Sequence, residues 1–161
     1  MAHSYHEIAF TPTILEMQVE AGSRDGYAAM GGELRYANVL TAREVEFIAG
    51  RDSFYMASVS ETGWPYVQHR GGPVGFMKVL DGRTIGFADY SGNRQYLSTG
   101  NFRHDDRVSL FFMDYPNRRR LKMHLQAVMP LQCRQRCQKH HCKLNLLLGA
   151  LRFLNDHNVL R

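Results

Sequence analysis

The spacing of apolar residues changes near residue 50, and that change divides the chain. Before it, apolar positions recur at helical spacing. Thr11-Pro12 supplies a cap and a first-turn proline for a short helix over residues 11–21, with Ile14, Leu15 and Val19 as its apolar stripe and Gly22 as its stop. Residues 22–40 are glycine-rich and weakly patterned, which reads as loop. Thr41-Ala42-Arg43-Glu44 fits a capping box for a second helix that carries Val45, Phe47 and Ile48 and stops at Gly50.

From residue 53 the period becomes that of a strand. Residues 53–59 are aromatic and β-branched, 60–63 form a turn, and 64–70 a second strand. Gly71-Gly72-Pro73 interrupts that strand and residues 74–80 resume it; Asp81-Gly82 signals a hairpin returning over 84–90. Residues 107–113 and 119–123 add two strands around residues 114–117. Five strands joined mostly by hairpins, with only small helices between them, predict a mainly β fold, an antiparallel, Greek-key-like β-barrel. Tyr and Phe residues within 53–59, 87–90 and 111–115 fall at strand period and read as core.

Past His124 the alternation is lost. Gln, Arg, Cys and His dominate 132–143, and the leucine-rich stretch behind them predicts a helix near 143–155. The expected organisation is a helical and loop extension over residues 1–50, a barrel core over 51–124 that lacks a strand, and an atypical tail over 125–161.

Composition narrows the picture. A chain of 161 residues with 44% hydrophobic content suffices for one core. No apolar run is long enough to cross a bilayer, and residues 1–7 lack the charged start and apolar middle of a signal peptide, so a cytoplasmic protein is expected. The formal charge of +5 admits nucleic acid or an anionic small molecule and does not choose between them. The three cysteines, Cys133, Cys137 and Cys142, are odd in number and confined to the tail, against a disulfide framework. With His140 and His141 they look superficially like zinc ligands. The second ligand pair across a loop, usual in structural zinc sites, is missing, so no metal is expected.

Three segments carry candidate chemistry. The stretch from Ser91 to Gly100 leaves a strand, turns through Gly92, and offers Asn93 as cap of a short helix ending at Gly100. Free N–H groups at a helix start favour an anion, and Arg94 adds a guanidinium matched to phosphate oxygens. An ordinary strand-to-helix connection with a solvated arginine fits the same residues. Gln68-His69-Arg70 ends a strand with three polar side chains, and Gly71-Gly72 lets a flat ring approach the backbone. A bulged barrel corner is the alternative. In Arg118-Arg119-Arg120, strand alternation allows at most two residues on one face, and a solvated strand entrance is the simpler reading.

The order and distance of these segments carry a resemblance. Residues 54–73, beginning Phe54-Tyr55-Met56-Ala57-Ser58-Val59 and closing Gln68-His69-Arg70-Gly71-Gly72-Pro73, resemble the opening strands of pyridoxamine 5'-phosphate oxidase-like FMN-binding proteins. Phe87-Ala88-Asp89-Tyr90-Ser91-Gly92-Asn93-Arg94-Gln95-Tyr96 is similar to their FMN phosphate segment, and Asp105-Asp106-Arg107-Val108-Ser109-Leu110-Phe111-Phe112 to the strand that follows. The likeness covers about residues 40–124. It implies an FMN-binding split barrel that works as a homodimer with FMN at the subunit interface. By this resemblance Asn93, Arg94 and Gln95 hold the phosphate, Gln68, His69 and Arg70 line the isoalloxazine, Ala88 and Asp89 add contacts, and Arg120 falls near a cofactor-facing position.

Two departures set limits. The oxidase proper uses a C-terminal tryptophan and arginine for flavin and substrate, whereas the single tryptophan here is Trp64, which argues against vitamin B6 oxidation. After Lys122-Met123-His124 the family has a glycine and one more strand; Leu125-Gln126-Ala127-Val128 and the tail depart from that, pointing to an altered reading frame over 125–161. The expected function is flavin-dependent oxidoreduction with a small-molecule substrate or nicotinamide donor. A non-enzymatic flavin- or haem-binding split-barrel module is the alternative. A nucleic-acid-binding barrel ranks third, because no aromatic stacking platform accompanies the basic run.

Overall fold

The computed structural model of the chain describes residues 8–30, 39–89, 94–128 and 145–150. Helices α1 (Pro12–Glu20), α2 (Arg24–Met30) and α3 (Ala42–Ala49) precede strands β1 (Ser53–Val59), β2 (Pro65–Gly71), β3 (Lys78–Asp81) and β4 (Thr84–Asp89). Helix α4 (Leu97–His104) then leads to β5 (Arg107–Asp114), β6 (Arg119–Val128) and β7 (Asn145–Ala150). All pairings are antiparallel and the sheet order is β2-β1-β5-β6-β7-β4-β3. The end strands β2 and β3 do not pair with each other, so the sheet curls without closing: a split barrel.

The local signals explain most of this. Glu44 accepts hydrogen bonds from the Thr41 backbone N–H at 2.9 Å and from the Thr41 hydroxyl, completing the box that starts α3. That helix buries Ile48 fully against the barrel. In α1 the expected stripe is not the buried face. Ile14 and Val19 are exposed, and Gln18 is the buried residue, with its amide oxygen accepting from Arg24 at 3.4 Å. Residues 24–30, expected as loop, form α2: Asp25 sits in its first turn and two alanines and a methionine favour the helix once Gln18 ties it to α1.

Strand alternation builds the core. Phe54, Met56 and Ser58 of β1, Val108, Leu110 and Phe112 of β5, and Leu121, Met123, Leu125 and Ala127 of β6 all point inward. At its centre the Phe54 ring lies 5.2 Å from Phe87, 5.2 Å from Phe112 and 5.7 Å from Phe76. Residues 74–77 do not continue a strand as expected. Instead Gly75, at φ +72, turns the chain and donates to the Arg51 carbonyl at 2.9 Å, while a Cβ on Gly72 would lie 2.7 Å from the Phe76 ring. Only glycine lets the chain pass Phe76 there.

Two corrections concern the tail. Strand β6 runs to Val128, five residues beyond its expected end, with Leu125 and Ala127 still alternating into the core. Residues 145–150, inside the span expected as helix, form a strand between β4 and β6, with Phe87 opposite Leu147 and Ala127 opposite Gly149. A short leucine run fits either period, and two waiting strand edges decide it. Cys133, Cys137, His140, His141 and Cys142 lie outside the described residues. Among the described residues no helix is long and apolar enough to cross a membrane.

One buried carboxylate ties the helical and sheet parts together. Asp114, 2% exposed, accepts from the Asn117 amide at 3.0 Å and from Arg119 at 3.0 Å, with Arg51 at 3.4 Å. Both guanidiniums also lie over the Phe47 ring, Arg51 at 4.8 Å and Arg119 at 5.6 Å. Desolvation pushes the Asp114 carboxyl upward, but the hydrogen bonds from Asn117 and Arg119 and the Arg51 charge outweigh it and hold the carboxyl at about 2. A folded value below the ordinary 3.8 gives stability that is present above that value and lost as pH falls toward 2. Wild-type protein is therefore expected to lose thermal stability more steeply between those limits than Asp114→Asn. Parallel acid titrations of the melting midpoint would exclude this carboxylate as the cause. Asp105, held equally low by hydrogen bonds from Arg107, remains in both proteins and cancels.

Candidate functional site

Cross-strand register decides which candidates can meet. Gln68 stands opposite Met56 and Arg70 opposite Phe54, so both sit on the core face of β2 at the edge of the split. His69 stands opposite Tyr55 on the other face, its ring edge-on to that tyrosine at 5.4 Å. Three consecutive strand residues thus divide two to one between faces.

On the core face, Gln68, Arg70, Phe87 and helix α4 form a corner. The Ser98 hydroxyl, buried in the first turn of α4, donates to Gln68 Oε1 at 3.0 Å. Asn101 Nδ2 donates to the buried Ser58 hydroxyl at 3.0 Å, which fixes the helix to β1. The Arg70 guanidinium lies 5.9 Å from the Phe87 ring centre. Ala88 and Asp89 are the last residues of β4, paired with Leu146 and Asn145 of β7. Arg94 and Gln95 follow, exposed, just ahead of α4; Asn93 lies outside the described residues. Ser98, Asn101 and Ser58 were not singled out from sequence, since small polar residues give no periodic signal.

Helix α4 differs from expectation at both ends. It starts at Leu97, three residues past Arg94, and continues through Gly100 to His104. A Cβ at Gly100 would meet open space, so nothing in its surroundings requires a stop there. Ahead of the helix, Arg94 and Tyr96 both adopt left-handed conformations, φ 61 and 55. Such a conformation costs roughly 1–2 kcal/mol per non-glycine residue and concentrates at ligand-gripping segments.

The opposite face carries a groove of about 600 Å³ over β1, β5 and β6. Its floor includes Met113 and also Tyr55 and Phe111, two residues whose strand period reads as core. Only the even-numbered partners Phe54 and Phe112 are buried there; Tyr55 is 37% exposed. Alternation within 53–59 and 111–115 held the signal that separates the two sets. Along one wall β6 presents Arg120, Lys122 and His124, opposite Met113, Phe111 and Ser109. Lys122 Nζ lies 5.8 Å from the Phe111 ring centre. The Ser109 hydroxyl meets His124 Nδ1 at 2.6 Å, and burial, aided by the Lys122 charge, lowers the His124 pKa. Arg120 Nε is buried and has no hydrogen-bond partner among the described residues. The arginine run is thus split three ways, with Arg118 in the turn, Arg119 on Asp114, and Arg120 in the groove.

Comparisons with known proteins agree with this architecture. A family model described as pyridoxamine 5'-phosphate oxidase matches residues 40–138, which extends beyond His124. Among solved structures, a candidate pyridoxamine 5'-phosphate oxidase of Lactobacillus delbrueckii is 20% identical, with 74% of this chain and 94% of that one covered at a TM-score of 0.53. HupZ of Group A Streptococcus is 12% identical, with 76% and 98% covered at a TM-score of 0.54. At these identities the likeness shows the fold. No curated protein sequence matches.

Proposed function

The chain belongs to the pyridoxamine 5'-phosphate oxidase family, and on that premise we propose that it binds FMN between two copies of itself and acts as a cytoplasmic flavin-dependent oxidoreductase. One observation carries the reading. Gln68 and Arg70 lie on the core face of β2, whereas Arg120 lies on the opposite face, three strands away in the sheet order. A single flat cofactor cannot touch both sets from one protomer. A twofold-related copy can bring its Arg120 wall to the first copy's corner of β2, β4 and α4.

The residues present fit such a ligand. Arg94 and Gln95, with Asn93, hold the phosphate in front of α4, where the guanidinium can meet two oxygens at once. Gln68, Arg70 and the end of β4 at Ala88 and Asp89 border the ring. His69 faces the second copy from the other side of β2. The buried Arg120 Nε supplies a donor for an acceptor brought from outside the chain. Bound FMN supplies the two-electron chemistry, and the protein orients it and excludes water. A nicotinamide nucleotide is the proposed electron donor, and no side chain is assigned as a catalytic base.

The absorption spectrum of the purified protein, read with its mass in solution, tests this. Flavin bands with one FMN per protomer in a dimer are expected, and cofactor removal should weaken the dimer through linkage. A monomer that holds FMN tightly would refute the shared site. A haem spectrum would favour the alternative module, and flavin that NAD(P)H cannot reduce would favour a carrier.

A further inference from the structure

We infer that Ser98 is a positioning residue for the cofactor: its hydroxyl holds the Gln68 carboxamide with the oxygen turned toward α4 and the NH2 group left to donate to the flavin ring. This deepens the function proposed above and rests on it for the flavin.

A carboxamide carries an acceptor at one end and two donors at the other, in nearly the same shape, so a neighbour must choose its orientation. Strand β2 is the end strand of the sheet and has β1 as its neighbour on one side only. The residue opposite Gln68 on β1 is Met56, whose thioether offers no donor. The choice therefore falls to α4. Ser98 is 2% exposed, and its hydroxyl lies 3.0 Å from Gln68 Oε1. Among the described residues that hydroxyl has no other hydrogen-bond partner. Turning the amide over would make Nε2 the donor and leave the hydroxyl proton unpaired in a buried place, at a cost of about 1–3 kcal/mol. That cost fixes the oxygen inward. Gln68 is only half-buried, and among the described residues its Nε2 has no partner, so the donor end is free for a ring acceptor.

The helix that carries Ser98 is itself held. One turn further along α4, Asn101 donates to the buried Ser58 hydroxyl of β1 at 3.0 Å, and Phe102 is buried in the core. Two hydrogen bonds thus join α4 to the sheet, one to β1 and one to Gln68 on β2. They differ in what lies beyond them. The Asn101 bond ends inside the protein, whereas the Ser98 bond sets what Gln68 presents at the corner of β2, β4 and α4. Flavin ring acceptors gain electron density on reduction, so a donor held there favours the reduced form.

The test reads the midpoint potential of bound FMN and the affinities of apo-protein for FMN and riboflavin. Ser98→Ala is expected to lower the preference for reduced over oxidised flavin by about fivefold, equal to about 20 mV for a two-electron couple. FMN and riboflavin should lose affinity alike, since the contact is to the ring. In a Gln68→Ala background Ser98→Ala should change the potential no further. Asn101→Ala should lower the melting midpoint and leave the potential in place. Gln68→Glu keeps an oxygen for Ser98 but has no donor for the ring, so it should lower the potential even if Ser98→Ala fails to fold. An unchanged potential in Ser98→Ala or Gln68→Glu, or an equal drop from Ser98→Ala in both backgrounds, would overturn the assignment. Wild-type protein that takes up no FMN removes the reading beneath it, whereas flavin bound at an unchanged potential removes the role of Ser98 alone.

Discussion

Replacing Arg94 with alanine is expected to weaken FMN binding by roughly ten- to hundred-fold and to leave riboflavin binding unchanged. The phosphate monoester of FMN carries close to two negative charges at neutral pH, and riboflavin carries none. Arg94 is exposed in the absence of ligand, so it pays little desolvation until the phosphate arrives. A hydrogen bond to a charged partner is then worth about 1.5–3 kcal/mol, which sets the expected range. The backbone adds an independent reason to look here: left-handed Arg94 and Tyr96 hold a costly conformation just ahead of α4. Titration of apo-protein with both ligands, for both variants at fixed salt, reads the difference. Equal FMN affinity would remove Arg94 from the site. Parallel losses for FMN and riboflavin would instead indicate damage to the fold.

How far the sequence revealed this molecule depends on which forces act locally. Thr41 and Glu44 meet within one helical turn, so the α3 start was legible, as were the hairpins around residues 60–63 and 82–83. Period two in β5 and β6 foretold both strands. It could not foretell that β6 continues to Val128, since Gln126 and Val128 face outward beside a tail without pattern. The Leu146–Leu148 run became a strand because β4 and β6 each offered an edge, a long-range fact invisible within a window of ten residues. The site shows the same division. Gln68, Arg70 and Arg94 stand out by their own residue chemistry, Arg120 within a basic run, and a family likeness spread along the chain adds Ala88 and joins them into one site. The groove was missed because its aromatic floor, Tyr55 and Phe111, was assigned to the core without asking which of two faces each residue takes.

Truncating Phe54 to alanine is expected to cost about 3–5 kcal/mol of folding stability, the largest effect of any single change considered. The ring is 1% exposed and touches Phe76, Phe87 and Phe112, one ring each from the β2–β3 connection, β4 and β5. A cavity at that junction removes contacts from three segments at once, and close-packed neighbours on paired strands can fill little of it. The damage reaches the proposed cofactor corner by a short route, because Arg70 stands opposite Phe54 and lies over Phe87. FMN should therefore bind the variant somewhat more weakly, yet still favour the folded state. At a free concentration one hundred times its dissociation constant it returns about 2.7 kcal/mol. Urea unfolding of wild type and variant, each with and without FMN, separates the two terms. A loss under about 1 kcal/mol would show that Phe76 or Phe87 moves in to refill the space. Failure of FMN to shift the variant's midpoint, while wild type shifts, would show that Phe54 holds the cofactor corner in shape as well as the core.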